Sequence, residues 1–432
     1  MPAPTLPQRV TAPSRPGADL AVLVSDLRRR GQEAGLAAVG VAPATPMDAA
    51  RRALEERKAA GLSAGMQFTY RNPARSTDPG LLLPGAAALV VGAWPYGDAG
   101  GASPETAPVD DTSGAGPKGR VARYACRDHY RDLRAALEEM AALLRQSGWA
   151  ARVVADDNAL VDRAAAERAG LGWFGKNANI LLPGRGSWFL LGSVATDAPL
   201  PPDAPVGDGC GPCRRCLGSC PTGAIVAPGV LDARRCLAWL LQATGVFPFE
   251  FRAALGDRMY GCDDCQEVCP ANRVAARMAG SGRRGPEAGA GVAGNREAGA
   301  REAGTDGSAV DILDVLTAPD DALLGAYGRW YIPQRDPRYL RRNALIVLGN
   351  VGDGRHPEVE RTLRRYLAGP DEMLRAHAVW AAVRTGRRDL VDEAGGLRDD
   401  PSPMVQDELR RTGAIEARAA GTKDPGSART DK

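Results

Sequence analysis

Eight of the nine cysteines in this 432-residue chain fall between Cys210 and Cys269, and only Cys126 stands outside that stretch. Cys210, Cys213, Cys216 and Cys220, followed by Pro221, have the spacing C-x2-C-x2-C-x3-C-P. Such a run suits an iron–sulfur cube. The short gaps let three thiolates of one loop grip three irons, and the proline turns the chain so that the fourth cysteine serves a second cluster. Cys262, Cys265 and Cys269, followed by Pro270, have one two-residue gap and so lack one loop ligand, for which the isolated Cys236 is the natural replacement. Crossing the last cysteine of each run makes two complete sets. One is Cys210, Cys213, Cys216 and Cys269; the other is Cys220, Cys236, Cys262 and Cys265. The alternative is a pair of zinc sites, each with four thiolates. Two cubanes in one short stretch make an electron relay.

Nine cysteines in a chain of this length are too sparse for a disulfide-stapled secreted scaffold. With 55 Lys and Arg against 52 Asp and Glu, the net charge of +3 excludes a histone-like nucleic-acid binder but permits a local basic patch. No apolar run reaches the roughly 18 residues of a membrane span. The start, Met-Pro-Ala-Pro-Thr-Leu-Pro, is not a secretory signal, so the expectation is a soluble cytoplasmic protein with no membrane partner. His129, His356 and His377 are too scattered for a histidine metal site, and Cys126 reads as a small buried hydrophobe.

Residues 1–16, rich in proline and polar groups, read as a disordered N-terminus. Apolar spacing then predicts helices over 18–33, 47–60, 127–147 and 160–169, and strands over 86–93, 151–155 and 188–195. Alternating elements of this kind argue an α/β layer architecture over residues 17–205. The cysteine module spans 206–278. Residues 279–308 repeat Gly, Ala, Glu and Arg with almost no large apolar side chain, and read as a flexible insertion. From 309 to 418 the pattern is helical. Leu340–Ala344, Leu374–Ala378 and Val405–Leu409 recur at offsets of 34 and 31 residues, a weak paired-helix repeat similar to HEAT repeats, with an unrelated helical bundle as the alternative. Residues 419–432 read as a disordered tail.

Gly170-Leu-Gly-Trp-Phe-Gly175 satisfies G-x-G-x-x-G, and with Lys176-Asn177 it nearly satisfies a P-loop. A dinucleotide fingerprint needs a strand before it and a helix after it, whereas here a helix precedes and an extended segment follows. Position 177 is Asn where a P-loop needs Ser or Thr to hold magnesium. What remains is a loop whose glycines allow close backbone approach to a large ligand.

The two cysteine runs, together with Asp162-Arg-Ala-Ala-Ala-Glu-Arg-Ala-Gly-Leu-Gly-Trp-Phe-Gly-Lys-Asn177 and Arg341-Arg-Asn-Ala-Leu-Ile-Val-Leu-Gly-Asn350, resemble the epoxyqueuosine reductase family over about residues 20–415. That resemblance implies a multidomain α/β plus α protein. It would have an N-terminal α/β cobalamin-binding domain, a ferredoxin-like module with two [4Fe-4S] clusters, and C-terminal HEAT-like helices that help bind tRNA. The implied reaction reduces the epoxide of epoxyqueuosine at the wobble position of tRNA to the alkene of queuosine, the last step of that base's biosynthesis. Clusters deliver single electrons, so a cobalt that can become a strong nucleophile is needed to gather them. Epoxide opening also needs a general acid. The family's acidic residue maps to Asp156, with its neighbour Asp157 as the alternate. Arg71, Arg123, Tyr124, Lys176 and Asn177 match positions around the cobalamin pocket, as do Tyr70, Asp128, His129 and Tyr130. The chain departs from the family pattern in the stretch 237–243, at Ala271 and in the order His129-Tyr130.

Two other readings stand beside this one: a cobalamin and iron–sulfur reductase of another substrate, of the reductive dehalogenase type, and a two-cluster electron carrier of the ferredoxin type. The resemblance implies a monomer fed by an external donor such as a flavodoxin or ferredoxin. In the helical half, Arg361, Arg364 and Arg365 with Arg384, Arg387 and Arg388 would make a phosphate-binding ridge if they share a face. A plain solvated face is the alternative.

Overall fold

The computed structural model describes residues 19–97, 116–280 and 308–414. The expectations for 1–16 and 419–432, and for all but the ends of 279–308, lie outside the described residues. The chain divides into two units. The first comprises Met1–Gly100, His129–Cys213 and Cys269–Ala293; the second comprises Gly101–Asp128, Arg214–Val268 and Gly294–Lys432.

In the first unit, strands Ala38–Pro43, Ala88–Pro95, Phe189–Thr196 and Ala151–Val154 form one sheet in that order. Every neighbouring pair is antiparallel. Helices Leu20–Glu33 and His129–Gln146 pack on the sheet and on each other. The longer helix buries Leu133, Ala136, Leu137, Met140, Ala141 and Leu144, an apolar stripe at helical spacing. Gly92 and Gly192 face each other across the two central strands. A Cβ on either would come within 3.2 or 2.6 Å of Leu137, so the bare backbone is what admits that leucine. Leu89, Val91, Ala93 and Ala195 point into the other core, where Ala164, Ala165 and Ala166 of the short helix Asp162–Arg168 complete the packing. The six helices and strands expected through residue 169, and the strand after it, all form. In the four-stranded sheet, Ala38–Pro43 was not expected.

In the second unit, strand Lys118–Val121 runs parallel to Arg258–Tyr260 and antiparallel to Ala309–Asp311. Helices follow. Arg338–Val351 packs against Glu372–Arg384, which packs in turn against Pro403–Arg411, with Pro357–Leu367 and Arg388–Glu393 between them in sequence. The three similar sequence segments begin at Leu340, Leu374 and Val405, each two residues into its helix.

Arg342 is fully buried and meets no carboxylate among the described residues. Its guanidinium donates to the carbonyls of Ala243 (2.7 Å), Gly245 (2.8 Å), Leu240 (3.1 Å) and Leu241 (3.3 Å), and to Asn343 Oδ1 (2.8 Å). Burial lowers its pKa to about 9. Nearby, Arg252 and Glu408 form a buried pair at 2.7 Å, and His377 Nε2 accepts the Phe247 amide at 3.3 Å. His377 Nδ1 lies 2.7 Å from Met373 O, so the neutral tautomer with a proton on Nδ1 satisfies both contacts. Burial holds this histidine well below its ordinary pKa.

Replacing Arg342 with Leu removes the donors to Leu240 O and Asn343 Oδ1, which stay buried, and to the partly buried carbonyls of Ala243 and Gly245. Each orphaned group costs ~1–3 kcal/mol. The Arg342→Leu protein is expected to lose at least ~3 kcal/mol in urea unfolding of the iron-loaded chain. Arg342→Lys, with three donors on a point charge, should recover only part of that loss. A Leu variant as stable as the parent would show that the carbonyls find other partners.

Candidate functional site

All nine cysteines are partly buried. Cys126 rests its Sγ 3.5 Å from Ala122 O and packs against the second unit's core, as expected of a buried hydrophobe. Cys216, Cys220, Cys236, Cys262 and Cys265 belong to the second unit. Burial pushes the Cys265 thiol far up, and the fields of Cys236, Cys220 and Cys216 add to that shift. Burial does the same to Cys262, with Asp264 and Cys236 adding and Arg258 opposing. The expected set Cys220, Cys236, Cys262 and Cys265 is therefore gathered in one unit. Cys220 Sγ accepts the Ala224 amide at 3.2 Å, and the Cys262 thiol donates to Asp264 Oδ2 at 3.3 Å. Asp264 in turn takes Arg258 at 2.8 Å.

Cys210, Cys213 and Cys269 belong to the first unit. The Cys210 amide donates to Asp208 Oδ1 at 2.8 Å. Lys176 Nζ donates to the carbonyls of Gly211 (2.5 Å) and Cys213 (2.9 Å), so its ammonium holds the first cysteine loop. Among the described residues, no three Cys, His, Asp or Glu side chains are close enough to hold a single ion. A zinc site draws four thiolates to ~2.3 Å from one point. A cube instead spaces its thiolates around four irons.

In the first unit, strand Ala151–Val154 runs into a loop where Asp156 takes φ +52°, a left-handed conformation uncommon for a residue with a Cβ. Such backbone persists only where its surroundings over-determine it. Here Arg134 donates to Ala155 O at 3.1 Å, Asp157 Oδ1 accepts the Ala159 amide at 2.8 Å, and Ser76 Oγ donates to Asn158 O at 2.5 Å. The Val161 amide closes the loop onto Ser76 O at 3.0 Å. Asp157 thus turns its carboxylate back on its own chain. Asp156 keeps its carboxyl exposed, and no hydrogen bond reaches it among the described residues. Although open to solvent, this carboxyl is raised in pKa, chiefly by desolvation from the surrounding protein; Asp157 adds and Arg134 opposes.

Two acidic neighbours complete this corner. Asp162 opens the helix Asp162–Arg168, and its Oδ1 is buried with no hydrogen-bond partner among the described residues. Burial raises its pKa well above the ordinary value, Asp156 and Asp157 add, and Arg163 together with the Asp156 amide directed at the carboxylate opposes. The Tyr130 hydroxyl is raised far up by burial, with Asp156 and Asp162 contributing. The Arg134 guanidinium lies 5.7 Å over the Tyr130 ring. Tyr96 stands 6.0 Å from the His129 ring and meets Trp188 edge-on at 5.9 Å. Sequence reasoning placed Tyr130 near a pocket but missed Arg134 and the burial of Asp162. Arg134 sits one helical turn after Tyr130, the one signal available.

The other expected residues are divided between the units. Arg71 is exposed, with its amide on the Gln67 and Phe68 carbonyls and no carboxylate at its guanidinium among the described residues. Asn177 is buried, and its Oδ1 accepts the Asn179 amide at 3.2 Å beside the left-handed Ala178. The glycine loop is a hairpin, with Trp173–Phe174 antiparallel to Ile180–Leu181, which agrees with rejecting both nucleotide motifs. In the second unit the Arg123 amide donates to Asp263 Oδ2 at 2.8 Å, and burial pushes Asp263 up to about 6. The Tyr124 hydroxyl accepts Gln242 Nε2 at 3.3 Å.

The arginine ridge is largely neutralised. Arg361 pairs with Glu358 (3.1 Å), Arg364 with Glu360 (2.9 Å) and Glu393 (2.7 Å), and Arg387 with Glu360 (2.7 Å) and Asp389 (2.8 Å). Arg365 and Arg384 lie over the rings of Tyr366 and Trp380, and Arg388 donates to Ala414 O. The face is the solvated alternative, with acids interleaved among the cations.

A family model for a 4Fe-4S double cluster binding domain matches residues 209–272, which contain all eight clustered cysteines. The epoxyqueuosine reductase of Vibrio cholerae is 32% identical over 369 residues, 84% of this chain and 92% of that protein. That of Bacillus cereus is 35% identical over 262 residues, 59% of this chain and 66% of that protein. A solved epoxyqueuosine reductase with an epoxyqueuosine-modified tRNA-Tyr stem loop is similar in structure at TM-score 0.76 and 26% identity, over 91% of this chain and 98% of that one.

Asp162→Asn removes a buried charge while keeping the side chain's shape. Because the folded-state pKa of Asp162 lies above its ordinary 3.8, the stability it contributes is complete below that value and is lost as pH rises through the folded one. The variant is expected to melt higher than the parent at about pH 8, by at least ~2 °C, which is what ~1 kcal/mol produces in a unit of this size. The margin should close toward about pH 4 in thermal unfolding scans. A variant that melts below the parent at the higher pH contradicts this account.

Proposed function

Since this chain belongs to the epoxyqueuosine reductase family, we propose that it reduces the epoxide of epoxyqueuosine to the alkene of queuosine at the wobble position of tRNA. The observation that carries the reading is the near full-length match to a family member combined with eight cysteines in crossed-cluster spacing and an exposed acid of raised pKa. The reaction takes two electrons and two protons, breaks both carbon–oxygen bonds of the epoxide, and releases the oxygen as water.

In this reading, Cys210, Cys213, Cys216 and Cys269 hold one [4Fe-4S] cluster, and Cys220, Cys236, Cys262 and Cys265 hold the other. Partly buried thiols, with the second set in one unit, fit that donor chemistry. Cobalamin, when bound, supplies a reducible cobalt that gathers single electrons from the clusters into the pair the epoxide requires. Its periphery of amides and a phosphate suits the guanidinium of Arg71, which no carboxylate occupies among the described residues, and the polar groups of Arg123, Tyr124, Lys176 and Asn177. Lys176 acts through the cysteine loop it holds.

Asp156 gives the proton to the departing oxygen. An acid must be protonated to act, and the raised pKa brings Asp156 closer to working pH. Its left-handed backbone and the tied loop around it hold the carboxyl free of competing hydrogen bonds. Asp157 stabilises that loop. The helical row of the second unit is read as HEAT-like and as part of the tRNA-binding surface, and the donor of electrons as a flavodoxin or ferredoxin. The chain works as a cytoplasmic monomer in this account.

Anaerobic purification, cluster reconstitution and incubation with cobalamin should give about eight irons and one cobalt per chain. The protein should then convert the modified base in tRNA. Asp156→Asn should keep iron and cobalt while turning over ~100- to 10,000-fold more slowly. Parental turnover in that variant removes Asp156 from the role of acid. Full iron with no retained cobalt removes the reductase reading and leaves an electron carrier.

A further inference from the structure

Three aromatic rings stack in the second unit. Trp330 is buried between Tyr260, 4.4 Å away and nearly parallel, and Tyr327, 4.6 Å away. Its indole donates to Ala125 O at 2.9 Å. The next residue, Tyr331, has both backbone groups on one hydroxyl: its amide donates to Tyr260 Oη at 2.8 Å, and that hydroxyl donates to Tyr331 O at 3.3 Å. The Tyr331 side chain is 60% exposed, more than any other aromatic ring among the described residues. A rigid, buried platform therefore presents a ring to solvent with little backbone freedom left to lose on binding.

The flanking positions carry free charge and strain. Arg329 and Arg335 are exposed and meet no carboxylate among the described residues. They donate only to carbonyls, Arg329 to Ala125, Cys126 and Ala326, and Arg335 to Gly328. Gln334 and Arg335 take φ of +54° and +53°, two consecutive left-handed residues with side chains, a backbone state that clusters at ligand clamps. The contrast with the neutralised ridge on the Pro357–Leu367 helix is direct: acids pair with the cations there, whereas here Asp336 pairs with Arg338 and leaves Arg329 and Arg335 without a carboxylate among the described residues.

Resting on the tRNA reading above, we propose that Tyr331, Arg329 and Arg335 form an RNA-contacting edge, with the Tyr331 ring stacked on an unpaired base of the substrate stem loop and the two guanidiniums on its phosphates. Single-stranded RNA is recognised by stacking of unpaired bases on aromatic or guanidinium planes, and its phosphates need cations that no acid already occupies. An apolar protein partner would be matched by a wider apolar patch, whereas Ile332 and Pro333 beside Tyr331 are buried.

The test is fluorescence anisotropy with a labelled tRNA-Tyr anticodon stem loop, titrated into iron-loaded full-length protein over a salt series. Tyr331→Ala should weaken binding about 5- to 100-fold, the equivalent of ~1–3 kcal/mol of base stacking, while Tyr331→Phe stays within about twofold of the parent. Arg335→Ala should reduce the slope of log affinity against log salt by about 0.7, one single-strand phosphate contact. Iron content equal to the parent's shows that each variant is folded. Parental affinity in Tyr331→Ala overturns the proposal and leaves the tRNA reading standing. A parent protein that binds no stem loop overturns both. Unchanged RNA affinity with slower electron uptake from a flavodoxin assigns the surface to the electron donor and also overturns it.

Discussion

A buried guanidinium with no carboxylate beside it, Arg342, carries much of the second unit. Its donors fill the carbonyls at the end of the short helix Leu237–Leu240 and in the turn beyond it. Cys236 caps the start of that helix. The position of one expected cluster ligand is thus fixed by a residue of the helical row far along the chain. The pair Arg252–Glu408 and the neutral His377 extend the same attachment through Phe247 and the helix Phe249–Leu255. Buried charges of this kind are strongly destabilising when one partner is removed, so they specify an arrangement more than they add stability. The helical row therefore has a structural duty toward the cysteines before any duty toward RNA.

The same attachment runs through the stretch 237–243. Leu237, Leu240 and Leu241 are core residues, and Gln242 reaches the Tyr124 hydroxyl. The segment packs inward and offers its carbonyls to Arg342. Its apolar side chains serve that packing, and a change of substrate is not needed to explain them.

Much of this was legible in the sequence because it is local. Cysteine spacing encodes loop geometry directly, and the stripe from Leu133 to Leu144 is a helix face whatever surrounds it. Ala38–Pro43 was missed because Gly40 and Pro43 break the strand signal. Gly40 is there because a Cβ would come within 2.2 Å of Ala169 O, a close approach made in the tertiary structure. Alternating helices and strands suggested layers but did not specify strand direction, and the sheet is antiparallel throughout. Asp162 reads as an ordinary acid at a helix start. Only the fold, by laying the Asp156 loop over it, turns it into a buried group of raised pKa. The arginine ridge failed partly for a local reason, since Glu358 and Glu360 stand one turn before the arginines they neutralise, and partly for a distant one, Glu393.

The two units place opposite electrostatic demands on the chain. In the first, the corner of Asp156, Asp162 and Tyr130 disfavours negative charge, since burial raises all three and neighbouring carboxylates add. In the second, buried thiols resist ionising on their own, although a cluster demands thiolates. A bound metal centre supplies positive charge that favours the deprotonated form, so cluster loading is coupled to proton release from these thiols. Desolvation is the common cause: it raises the carboxyls of the first unit and the thiols of the second alike.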